Sequence, residues 1–162
     1  MSEPTPYLTG LRLAGRRVVV VGAGRVAERR LGRLLDAGAD VEVIAPEATP
    51  VIARRAEEGR LTWSRRTFQP ADLDGAWYVL AATDDPGCNE QVSSVAERAR
   101  IFCVRSDNRD RATAWTPASG EIDGVQLGVL AGGDHGRSRR LRDALLDTLT
   151  KIIDADAERP TD

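Results

Sequence analysis

The run from Arg16 to Leu35, Arg-Arg-Val-Val-Val-Val-Gly-Ala-Gly-Arg-Val-Ala-Glu-Arg-Arg-Leu-Gly-Arg-Leu-Leu, constrains this chain more than any other stretch. Four consecutive valines, Val18 to Val21, are stiff at χ1 and suit a strand buried on both faces, as in a parallel sheet covered by helices. The strand stops at glycine, and Gly22, Gly24 and Ala27 make a G-x-G-x-x-A turn. The first glycine permits the reversal, the second leaves room for a pyrophosphate against the backbone, and Ala27 lets helix and strand pack closely. Beyond Val26, apolar Ala27, Leu31, Leu34 and Leu35 recur at helical spacing, which puts the turn at a helix N-terminus suited to phosphate. A strand before and an amphipathic helix after make this a dinucleotide-binding turn.

The rest of the chain extends the same plan. Residues 1 to 15 read as an extended lead-in. Gly38 closes the first helix, and a second strand covers Val41 to Ala45. Pro46 and Glu47 follow where such folds place the acid for the adenosine ribose, and no arginine stands at 45 to 48 to receive a 2′-phosphate, which favours NAD over NADP. Thr49-Pro50 caps a helix to about Glu58. Leu61 to Ser64 is a short third strand and Trp77 to Ala82 a nearly all-apolar fourth. Thr83-Asp84-Asp85-Pro86 opens a helix to about Arg98, with Thr83 and Asp84 expected to face the cofactor or to cap the helix. Ile101 to Val104 is a fifth strand, delivering Arg105, Ser106 and Asp107 to the same sheet edge. Two strands, Ala112 to Pro117 and Val125 to Ala131, are expected to form a hairpin joined by residues 118 to 124. Gly132 to Gly136, with His135, reads as a second glycine loop, and a last helix starts at Ser138. The expected class is α/β: a Rossmann-like parallel sheet with its NAD-binding turn over 1–112, a hairpin and helix over 113–156, and a frayed tail at 157–162.

Composition narrows the setting. At 162 residues the chain makes one domain or one domain with an appendage. A net charge of −2 gives no general attraction to nucleic acid. No stretch approaches a membrane span and no secretory signal is recognisable, so a cytoplasmic location is expected. Cys88 and Cys103 fit small, reduced core residues better than a disulfide or metal site. Of the 23 basic residues all but Lys151 are arginine, the side chain that grips carboxylates bidentately.

These residues resemble a family: the dehydrogenase and chelatase module of siroheme synthase. The match is carried by Tyr7-Leu8 with Leu11 and Leu13; by Val20 to Arg30; by Ala45-Pro46; by Ala81-Ala82-Thr83-Asp84-Asp85; by Ile101-Phe102-Cys103-Val104 leading to Asp107; and by the second glycine loop with Arg137-Ser138 and Leu141-Arg142. The resemblance implies oxidation of precorrin-2 to sirohydrochlorin with NAD and, in many members, iron insertion. It implies that Asp107 is the catalytic aspartate of both activities, that residues near Arg25, Val26, Ala45, Pro46 and Glu47 touch NAD, and that Ser138 borders the tetrapyrrole site. It also brings ferrous iron and a homodimer into consideration. Asn108-Arg109, Ser138-Arg139 and Asp134-His135 depart from the family pattern, which touches iron insertion more than oxidation. The usual helical dimerisation segment and the downstream methyltransferase domain are absent, which leaves a stand-alone short form and a piece of a fused enzyme both open.

The chemistry fits. Oxidising a reduced tetrapyrrole needs hydride transfer and loss of a proton, hence a base, and Asp107 between Arg105 and Arg109 is expected to stay ionised; its alternative is a carboxylate that only caps a turn. Arg105, Arg109 and Arg137 are expected at the carboxylate rim of the substrate, with Ser138. Lone His135 cannot form a metal site. Two rival readings are a non-catalytic NAD-sensing domain and a chelatase without dehydrogenase activity. The sensor is disfavoured by Ala45-Pro46 in place of a clear acid after the second strand, the chelatase by the intact nucleotide turn.

Overall fold

The computed structural model describes residues 5–157, so the tail beyond Ala157 lies outside the described residues. The chain divides into two compact units, Met1–Trp115 and Thr116–Asp162. In the first, five strands run β1 (Arg17–Val21), β2 (Asp40–Ile44), β3 (Thr62–Ser64), β4 (Tyr78–Ala81) and β5 (Phe102–Arg105). All pairings are parallel, in the order β3-β2-β1-β4-β5. The helices are α1 (Arg25–Asp36), α2 (Pro50–Glu57) and α3 (Pro86–Ala99). The chain winds outward from β1 to β3 and returns on the other side through β4 to β5. Strand order therefore reverses between β1 and β4, which opens a crevice at their carboxyl ends.

The valine run does what its stiffness dictates. Val18 and Val20 join one core with Leu31 of α1, Ile52 of α2 and Leu80, while Val19 and Val21 join the opposite core with Leu73, Val92 of α3 and Cys103. All four are essentially inaccessible to water. The helix starts follow their sequence signals: the Thr49 hydroxyl accepts from the Ile52 N–H at 3.4 Å and the Asp85 carboxylate from the Gly87 N–H at 2.8 Å, each before a proline at the first helical position. No helix among the described residues is long and apolar enough to cross a membrane.

The second unit holds strands β6 (Ala118–Ile122) and β7 (Val125–Val129), antiparallel, and helix α4 (His135–Ala157). Two expectations are corrected here. The stretch Ala112 to Pro117 is not a hairpin strand: the N–H groups of Thr113 and Ala114 both donate to the Cys103 carbonyl at 3.0 Å, and Pro117 has no N–H to offer a ladder. The hairpin lies further on, where a connection was expected, and turns on Asp123-Gly124 at φ 49° and 74° between paired Ile122 and Val125. Positive φ at both central residues gives the two-residue turn whose twist matches the strands. The second glycine loop is also shorter than expected. Asp134 accepts from the Arg137 N–H at 2.8 Å, so the helix opens at His135 and not at Ser138, and His135 is a helical residue.

Candidate active site

The glycine turn shows two glycines doing different work. Gly22 stands at φ 100°, and a Cβ there would lie 2.3 Å from the Ala82 carbonyl oxygen, so only glycine fits. Gly24 has an ordinary backbone, and a Cβ built on it meets nothing within 4 Å. That open notch faces the start of α1, whose Gly24 cap supplies no side-chain acceptor, and Arg25 and Val26 beside it are exposed. The first-turn N–H groups have no intrahelical acceptors, and an open notch in front of them fits a pyrophosphate.

The neighbouring strand ends continue the crevice. The β1 end is tied to β4 by the Ala82 N–H on Val21 and β4 to β5 by the Ser106 N–H on Ala81. Thr83, just past β4, is clamped by buried Asn89 of α3. The Asn89 side-chain oxygen accepts from the Thr83 N–H at 3.1 Å and from its hydroxyl at 2.8 Å, while its amide donates to the Thr83 carbonyl at 3.0 Å. The same Asn89 contributes to holding the Asp107 carboxyl low. Asn89 thus ties the chain just past β4 to α3, beside the strand end that carries Asp107. Asp84 beside it is exposed.

Asp107 is held chiefly by Arg105, whose Nε donates to Oδ1 at 3.1 Å and Nη2 to Oδ2 at 2.9 Å. These bonds outweigh partial burial and, with Asn89, keep the carboxyl below its ordinary range. Arg105 Nη1 bonds Glu90 and, at 3.2 Å, the Ser93 hydroxyl, and Glu90 in turn takes Arg111 Nη2 at 2.7 Å. Arg111 first and Arg105 second hold the Glu90 carboxyl low. Arg105 was expected on the substrate rim, but its side chain is 3% exposed and enclosed by internal partners. The structure moves it from the rim to the framework, because a buried guanidinium must be paired. Arg109 takes no part in this fork; it pairs with Asp110 at 3.2 Å and lies over Trp115. Sequence reasoning missed Asn89, Glu90 and Ser93. The signal was there: Asn89 and Ser93 stand with Val92 and Ala96 in the buried stripe of α3, where polar residues need a reason.

Just past β2, Ala45 is buried and Pro46 and Glu47 are exposed. The Trp63 indole donates to the Ala45 carbonyl at 3.0 Å and fixes the end of β2. Glu42 is occupied elsewhere, on Arg17 at 2.7 Å and Ser64 at 2.8 Å. Both cysteines are free, and burial pushes the Cys103 thiol up to about 11. Arg137 and Ser138 lie in the second unit, in the first turn of α4. Arg137 is exposed, while buried Ser138 donates to the Asp134 carbonyl at 2.9 Å and accepts from the Ala131 N–H at 3.1 Å.

Comparison with known proteins places the chain. Residues 10–118 match a family described as "Putative NAD(P)-binding". The chain is 37% identical over 138 residues to Siroheme synthase 3 of Aeromonas hydrophila and 40% identical over 137 residues to the siroheme synthase of Pseudomonas putida. It belongs to the siroheme synthase N-terminal module family. Each of those alignments covers 85% of this chain, and the module spans about 30% of the length of the curated relatives it matches. A solved structure of SirC, precorrin-2 dehydrogenase, superposes with a TM-score of 0.68 at 25% identity, covering 90% of this chain and 70% of that one. The module therefore carries an NAD(P)-binding fold, and the Gly24 notch is the feature of its own structure that fits the dinucleotide.

Proposed function

We propose that this module oxidises precorrin-2 to sirohydrochlorin, with NAD as hydride acceptor. The observation that carries the reading is the joining of two parts in one sheet edge: an open pyrophosphate notch at Gly24 and a fixed, charged carboxylate at Asp107, on strand ends tied to one another through β4. The likeness to SirC over most of the chain supports it.

Bound NAD supplies a two-electron oxidant. The residues that would hold it are Gly22 and Gly24 by backbone, Arg25 and Val26 at the opening of α1, Ala45, Pro46 and Glu47 at the ribose end, and Thr83 and Asp84 along the crevice. The oxidation removes a hydride and a proton from the substrate. Asp107 is the acceptor for the proton: hydride loss leaves the ring electron-poor and its remaining proton acidic, so a carboxylate of lowered basicity suffices. Its rigid mounting gives the geometric advantage that a mobile carboxylate lacks. Arg109, a surface cation near the end of β5, serves the acidic rim of the tetrapyrrole. Glu47, with no arginine at 45 to 48, favours NAD over NADP.

The setting is cytoplasmic and the working form a homodimer. Ferrous iron insertion is the weaker activity, because Asn108 replaces an acid of the family pattern and its side chain caps the turn at 109–111 by accepting from the Asp110 N–H at 3.1 Å. The test is anaerobic: precorrin-2 and NAD with the protein, following NADH formation, then sirohydrochlorin with ferrous iron, following siroheme. NADH formation with little siroheme above the spontaneous rate is expected. Siroheme without NADH formation would overturn the reading in favour of a chelatase, and NAD binding with neither product would favour a sensor.

A further inference from the structure

We propose that Arg105 is a positioning residue of this site, a buried guanidinium that fixes the plane and charge of the Asp107 carboxylate. The claim rests on the reading of Asp107 as proton acceptor, and its test below separates the two.

Four of the five N–H groups of Arg105 have acceptors: two on Asp107, one on Glu90 and one on Ser93. Two parallel bonds to the two oxygens of one carboxylate define its plane, which a single bond or a mobile ammonium does not. Asn89 adds to the lowering of the same carboxyl, and its side chain grips the Thr83 backbone beside the glycine turn. The carboxylate is thus fixed by Arg105 at the end of β5, next to the β4 end that Asn89 braces from α3.

The charged groups around it are arranged in alternation. Glu90 of α3 sits on the far side of Arg105 and is neutralised in turn by Arg111, on the turn after β5. Cys103 on β5 is a neutral thiol, as its raised pKa requires. Without Arg105, the part-exposed Asp107 and Glu90 carboxylates would lose the cation they share, and both would be harder to ionise. A second bidentate pair provides the comparison: Arg66 holds Asp72 through its two Nη atoms at 2.6 and 2.8 Å, with the Gln69 N–H as third partner.

The deciding variant is Arg105→Lys, which keeps the charge and removes the fork. Carbon-13 carboxyl NMR titration of Asp107 and steady-state oxidation of precorrin-2 are read together. Arg105→Lys is expected to raise the Asp107 titration point and to lower kcat on the order of 10²-fold, with NAD affinity little changed. Arg66→Lys is expected to lower Tm without moving either readout. An Asp107 carboxyl that titrates in the ordinary range in the parent protein overturns the proposal, even if Arg105→Lys does not fold. So does an Arg105→Lys protein that folds with kcat and Asp107 titration unchanged. If the parent does not oxidise precorrin-2, the functional reading fails, while the titration still decides whether Arg105 governs Asp107.

Discussion

Gly22 and Gly24 stand two residues apart in one motif, yet their environments call for opposite outcomes on substitution. At Gly22 a methyl group would press on the backbone of Ala82 in a conformation that disfavours side chains. Gly22→Ala is therefore expected to destabilise the fold by about 2–4 kcal/mol, read by chemical denaturation. At Gly24 the added group meets open space, so Gly24→Val is expected to keep Tm within a few degrees and to weaken NAD binding, read by calorimetric titration. Retained NAD affinity in Gly24→Val would remove the notch from the site. The placing of Gly24 in a turn after the valine run, and of Asp107 just past a strand, was legible in the sequence. Arg105 was misplaced for a physical reason. Asp107 lies two residues from it along the chain, but its other partners, Glu90 and Ser93, lie 15 and 12 residues earlier on another element.

At the scale of elements, helix ends show both what sequence reveals and what it hides. Pro50 and Pro86, each after a side-chain cap, announce their helices. Arg100 closes α3 in the left-handed region at φ 58° and ψ 38°, where a Cβ is strained and glycine is the usual occupant. Arg100→Gly is expected to raise stability by about 0.5–1 kcal/mol, read as a higher denaturation midpoint. A lower midpoint would mean that the Arg100 side chain contributes more than its backbone strain costs. The hairpin was misplaced because β6 does not look like a strand. It reads Ala-Ser-Gly-Glu-Ile, and its Gly120 is small for a packing reason: a Cβ there would come within 2.4 Å of a Leu146 methyl of α4. Tertiary packing removed the apolar alternation by which strands are recognised.

Across the whole molecule, stability and chemistry share one set of carboxylates. Asp72, Asp107, Glu90 and Asp134 all titrate below their ordinary values, Asp72 chiefly through Arg66 and Asp134 chiefly through the Arg137 N–H. A depressed carboxyl stabilises the fold above the unfolded-state pKa and loses that contribution as pH falls through the folded-state value. Stability is thus expected to be flat in pH through neutrality and to decline from about pH 4 downward. Thermal melts between pH 3 and 8 check this, and a midpoint that falls between pH 8 and 6 would contradict it. The central claim is that the fixed carboxylate at the end of β5 serves the oxidation. The most direct measurement is NADH formation from precorrin-2 by Asp107→Asn, beside the parent and with NAD binding verified in both. The expected result is unchanged NAD affinity and a rate lower by roughly 10²- to 10⁴-fold, the usual worth of a positioned base. A rate close to that of the parent would contradict the account and leave Asp107 as part of the framework alone.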